Sequence, residues 1–90
     1  MDEAAWREDL QAVQFQPAGH RGHCVVHRLA FRTLVGRLPT LADCLAFFAA
    51  HEEAFRRAAA EKRQRRSLSE DANFHLNSRD IRRHLGLLPP

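Results

Sequence analysis

Long apolar runs are missing from this chain. The longest, 44-CLAFFAA-50, has seven residues, and a helix needs about twenty to cross a bilayer. No membrane-spanning segment is therefore expected. Cysteine is scarce: Cys24 and Cys44 stand alone, in no paired spacing. Small secreted scaffolds carry more, so both thiols are expected to be reduced, buried and cytoplasmic. The opening MDEAAWREDL is acidic, and no basic segment leads into an apolar run. It does not read as a secretory signal.

Catalytic signatures are missing too. There is no G-x-S-x-G, no P-loop, no H-E-x-x-H and no dinucleotide fingerprint. The pair Glu52-Glu53 is adjacent on a predicted helix, where neighbours point about 100° apart. Apolar surroundings raise a cysteine's pKa and make it inert. A short chain also walls off a deep pocket with difficulty. The expectation is a protein that is not an enzyme and holds no cofactor.

What is present is ordinary for a folded protein. The chain has 90 residues, 44% hydrophobic and 28% charged, which suits one small domain over residues 1–90 with a modest core. The net charge is +3, from thirteen Arg and a single Lys against eleven acids. That excess permits an acidic partner without requiring one.

Patterning divides the chain. Residues 2–10 suit a short helix, with Asp2 and Glu3 near its N-terminus and Trp6 and Leu10 on one face. In 11-QAVQFQ-16, Val13 and Phe15 alternate with glutamines, which is strand periodicity. Pro17 ends it, and 18-AGHRG-22 is turn chemistry. The returning strand is 23-HCVVHRL-29, so the two make a β-hairpin with a loop of about five residues. Ala30, Phe31 and Leu34 share a helical face that Gly36 closes. Thr40 and Asp43 form a T-x-x-D capping box, opening a long helix over 41–66. Residues 73-NFHLN-77 alternate again, as a third strand. Ser78 caps a last helix, 79-RDIRRHL-85, ended by Gly86 before Pro89 and Pro90.

The segment 19-GHRGHCVVH-27 holds three histidines and a cysteine. On a helix they would cluster as metal ligands. Gly19, Gly22 and Val25-Val26 argue for a turn and strand instead. On a strand His23 and His27 stand roughly 13 Å apart, with Cys24 on the opposite face. Zinc needs its ligand atoms within about 2.3 Å of the ion. Only His20 with His23, across the turn, remain a plausible pair, and no metal site is assigned. His23 and His27 are expected on a solvated face, with Cys24 and Val26 inward. His75 is expected to face away from Phe74 and Leu76.

The run 54-AFRRAAAEKRQRR-66 is strongly basic, with Arg56, Arg57, Lys62, Arg63, Arg65 and Arg66 against Glu61. Arg56, Lys62, Arg63, Arg65 and Arg66 are the candidate nucleic-acid-binding residues, as phosphate contacts. The plainer reading is a soluble helix end whose cations complement the macrodipole. A third is docking of an acidic partner. No recognition-helix, zinc-finger or RNA-binding aromatic signature accompanies the charge. Pairing of the cations with Glu52, Glu53, Glu61 or Asp80 would favour solubility over a binding patch. Replacing Arg63, Arg65 and Arg66 by Glu is expected to abolish such binding and spare the fold.

The order Trp6, Val13-x-Phe15, Gly22, Cys24, Val26 and 27-HRLAF-31 resembles the opening half of a family of small bacterial proteins, domain-of-unknown-function family 1488. Its pattern is a Trp, then V-x-F, then G-x-x-C-x-[VI]-S-x-x-A-L. Here Gly22 stands one residue closer to Cys24, His27 stands for Ser, and Phe31 for Leu. The helix carrying Cys44, Leu45, Phe48 and Phe55 is similar to the family's long helix, and 74-FHLNSRD-80 to its closing strand and turn. The resemblance implies a small antiparallel sheet against helices in a cytoplasmic bacterial protein, and no activity. Members often begin with an extra strand before the Trp. A missing strand would leave an open sheet edge near Trp6 and Phe15, which favours dimers by strand pairing.

The expected fold is α+β, in the order α-β-β-α-α-β-α. About three antiparallel strands pack against one long helix and short helices. The expected core is Val13, Phe15, Cys24, Val26, Phe31, Leu34, Leu41, Leu45, Phe48, Phe55, Phe74, Leu76 and Ile81. A non-enzymatic binding or accessory module acting by protein contact or self-association comes first. Weak, salt-sensitive nucleic-acid binding comes second.

Overall fold

The computed structural model of the protein describes residues 4–85. The class is α+β. Strands β1 (Ala5–Arg7), β2 (Ala12–Phe15) and β3 (Cys24–His27) are followed by helices α1 (Arg28–Val35), α2 (Leu41–Ala50) and α3 (Glu52–Arg66), then β4 (Phe74–Leu76) and α4 (Ser78–Arg82). The closing residues Gly86, Pro89 and Pro90, and the N-terminal Asp2 and Glu3, lie outside the described residues.

Four strands form one sheet in sequence order, against the three expected. The extra one is β1. Trp6 pairs with Val13 rather than sitting on a helix. At Glu8–Gln11 the chain turns, with Gln11 at φ 51°, and the polar residues read as helix serve that turn. Trp6 and Leu10 still lie four apart, but tertiary pairing overrides a short helical pattern. Phe15 is not at the edge; it is buried on β2 against Phe48.

The first three strands run antiparallel, whereas β4 joins β3 in parallel. This corrects the all-antiparallel expectation. The connection from β3 to β4 runs through three helices, and a crossover of that kind delivers a parallel strand.

The long helix is broken at His51 (φ −126°, ψ 30°). The capping box of Thr40 and Asp43 opens α2 as its sequence suggests. No Pro or Gly marks the break. Aromatic packing accompanies it: in an unbroken helix the backbones of residues 48 and 55 would stand about 10.5 Å apart along the axis. Here the Phe48 and Phe55 rings are 4.9 Å apart, and Phe55 also stacks on Phe31 at 5.7 Å. The bend lets both helices aim at one aromatic core.

That core includes Val13, Phe15, Cys24, Val26, Phe31, Cys44, Phe48, Phe55, Leu76 and Ile81, with Ala58 and Ala59. Leu34, Leu45 and Phe74 are only partly buried around it. Leu41, expected inside, is 46% exposed. It is the first residue of α2, beside Trp6 at the helix's mouth. The final helix is capped by Asn77, one residue earlier than expected, in a box with Asp80.

The hairpin loop spans residues 16–23, longer than expected, and it is fastened to the α3–β4 connection. Arg21 and Gly22 donate backbone N–H groups to the Glu70 carbonyl, and His23 N–H donates to Asn73 Oδ1. A Cβ at Gly22 would overlap the Ala72 carbonyl oxygen and stand 2.8 Å from that of Asp71. Close backbone approach, not a left-handed φ, requires glycine there.

Candidate interaction surface

The basic run of α3 is largely consumed by the fold. Lys62 is 8% exposed. Its ammonium donates to Asp80 Oδ2 at 2.9 Å and to the His75 carbonyl at 2.8 Å. Arg65 reaches the other Asp80 oxygen at 3.3 Å. Burial pushes the Asp80 carboxyl up, but the Asn77 N–H, Lys62 and Arg65 outweigh it and hold it below the ordinary range. Arg63 donates to the Ala18 and Gly19 carbonyls of the hairpin loop. Arg56 bonds Glu52 and the Gln16 carbonyl, and its guanidinium lies 5.3 Å from the Phe15 ring centroid. Arg57 pairs with Glu53, and Arg83 and His84 with Glu61. Arg66 is exposed, with no ion pair among the described residues.

The five candidate residues therefore do not form one free phosphate-binding stripe. Most of them staple α3 to the hairpin loop and to β4–α4. The pairing with Glu52, Glu53, Glu61 and Asp80 is the arrangement that favours solubility and folding. Arg63 and Arg65 are anchors, so the triple charge reversal at 63, 65 and 66 would not spare the fold. Arg66→Glu is the clean probe.

The histidines separate by strand periodicity. His20 is buried. Its Nε2 donates to the Ala72 carbonyl at 2.7 Å, its ring meets Phe74 edge-on, and its Nδ1 has no partner among the described residues. It anchors the loop, while His23 is exposed on the open face of the sheet. The two are not presented together as ligands. Among the described residues no group of three or more His, Cys, Asp or Glu side chains could hold a metal ion. Cys24 and Cys44 face the core as reduced thiols. Burial pushes the Cys24 thiol up to about 12 and raises that of Cys44.

The helices cover one face of the sheet and leave the other open. Directly paired residues share a face. Trp6, Val13, Val26 and Leu76 turn toward the helices; Ala5, Gln14, Val25 and His75 turn away. His23 and His27 flank Val25 at a spacing of two, so they join the open face. The His27 and His75 rings meet edge-on at 5.8 Å between centroids. A hollow of about 370 Å³ spans the strands here, lined by Arg7, Leu10, Gln14, His23, Val25, Asn73, Phe74 and His75. Arg7 is held across it by Gln14 Oε1 at 2.6 Å and by a two-point pair with Asp9.

Alternation within β2 and β3 foretells which way Gln14, Val25 and His27 point. Nothing local foretells that β4, about fifty residues later, sets Asn73 and His75 beside His23. Nor does it show Arg7 closing the far side, because that residue reads as helical.

Compared with known proteins, the chain matches no family model, no curated protein and no solved structure. No helix among the described residues is long and apolar enough to cross a membrane.

Proposed function

We infer that this protein is a small non-enzymatic binding or accessory module that acts by contact with another protein. The observation that carries this reading is the open face: among the described residues no helix covers one side of the sheet, which holds a hollow spanning the strands. A sheet normally buries one face and solvates the other, so exposure alone is ordinary. The concentration of Arg7, Gln14, His23, Asn73 and His75 around a Val25 floor gives it recognition chemistry. A cytoplasmic bacterial setting accords with the resemblance to family 1488.

The test is affinity capture followed by substitution. Val25→Asp, placed on the open face, should release the captured partner, while Arg66→Glu should retain it. Release by Arg66→Glu alone would move the contact to α3 and sink this reading.

A second reading keeps one specific support. Arg66, the last cation of the basic run, is exposed and has no ion pair among the described residues. Fluorescence anisotropy of labelled mixed-sequence DNA and RNA decides it. Binding that weakens steeply with salt and is lost in Arg66→Glu would establish phosphate contact. No binding at low salt would remove that class.

A further inference from the structure

Three imidazoles lie on the open face, and the His27 and His75 rings meet there at 5.8 Å. His23 and His27 flank Val25 along β3, and His75 is the residue paired with Val25 on β4. The hollow beside them is lined by His23 and His75 with Arg7, Gln14 and Asn73, and by no carboxylate among the described residues. The ionisable side chains of that lining, Arg7, His23 and His75, are all bases. From these groups we propose that the open face docks an acidic peptide segment of a partner protein, and docks it more tightly as pH falls. This rests on the protein-contact reading and names the partner's chemistry.

The charges around His75 show why a ligand carboxylate would be accepted. From β3 it faces His27. The charges of Lys62 and Arg66 on α3 and of Asp80 on α4 also act on it. Across the hollow stands Arg7, neutralised by Asp9. Asp80 is already committed to Lys62, Arg65 and its own helix cap. Burial first, then Lys62 and His27, hold His75 below its ordinary range. In the free protein a proton there is therefore opposed. A carboxylate seated between His75 and His27 removes that opposition, so binding takes up protons. Linkage then requires affinity to rise on acidification. Each imidazole that gains a proton on binding contributes up to about tenfold per pH unit. Nucleic-acid phosphate is the competing ligand, and an oligothymidylate tests it beside the peptide.

The experiment is a titration of the isotope-labelled full chain with a short polyglutamate peptide, a polyglutamine peptide and an oligothymidylate, at about pH 5.5 and about pH 7.5. Shifts should gather on Gln14, Val25, His27 and His75. Polyglutamate should bind at least about tenfold more tightly at the lower pH, and polyglutamine should not bind. His27→Gln and His75→Gln should each flatten the pH dependence while the spectrum stays folded; both side chains are exposed. Equal affinity at the two pH values, shifts confined to α3, tighter binding of oligothymidylate, or no binding would each overturn the proposal. A protein partner released by Val25→Asp in a chain that ignores polyglutamate would overturn the acidic ligand alone and leave the contact reading standing.

Discussion

Single residues hold the hairpin loop and the helical layer in place. Gly22→Ala should destabilise by about 2 kcal/mol or more, because rigid backbone rather than a flexible side chain occupies the space of the new methyl. Gly19 (φ 70°) meets nothing, so Gly19→Ala should cost only about 1 kcal/mol, from its left-handed φ. Urea titration separates the two, and equal losses would refute the close approach at Gly22. Asp80→Ala removes one side of a buried ion pair and a helix cap together; the expected loss is about 3–5 kcal/mol near neutral pH. Asp80 titrates low in the folded chain. Its contribution is present above the unfolded value of about 3.9 and is lost as pH falls through the lowered folded value. Both thiols should resist a thiol-reactive dye until the protein unfolds. Rapid labelling of Cys24 in native buffer would contradict its burial.

Elements were legible where the signal was local. The Val13/Phe15 alternation, the turn around Gly19, the left-handed Gly36 closing α1 and the Thr40–Asp43 box all act within a few residues, and each is found. Thr40→Ala should lower stability by about 1 kcal/mol, read by thermal or urea unfolding. The misreadings have a common physical origin in contacts between distant segments. Trp6 and Leu10 have helical spacing, yet pairing of Trp6 with Val13 makes a strand. Residues 41–66 carry helix-forming alanines throughout, yet a bend at His51 accompanies the Phe31–Phe48–Phe55 cluster. The basic run looked like a surface stripe because Asp80 and the Ala18 and Gly19 carbonyls, its partners, lie at least fifteen residues away in sequence. Gln14 and His27 of the candidate face were legible by alternation; Arg7 and Asn73 were not, because register between remote strands leaves no local mark.

For the whole molecule, acid should act in two stages. His75 is held below its ordinary range in the fold, so the unfolded chain takes its proton first as pH falls. Stability is full above about pH 6.5 and declines below it until the lowered folded value is passed. His75→Gln should remove this first decline and leave the later one, below about pH 4, to which Asp80 contributes with the other lowered carboxylates Asp9, Asp43 and Glu61. Urea midpoints across the range test this, and an unchanged decline in the variant would rule out His75 as its source.

Lys62 has a further consequence at the edges of the sheet. Phe74 N–H donates to the His23 carbonyl, so its peptide groups face β3 and alternation turns those of His75 outward. Lys62 closes that outward carbonyl. The β1 margin has no neighbouring strand among the described residues. The molecule thus has one guarded margin and one receptive margin. If two copies joined, β1 to β1 about a two-fold axis, both receptive margins would be used up at once. The joint sheet would end in a lysine-guarded β4 on each side, so assembly would terminate at the pair instead of propagating into a fibre.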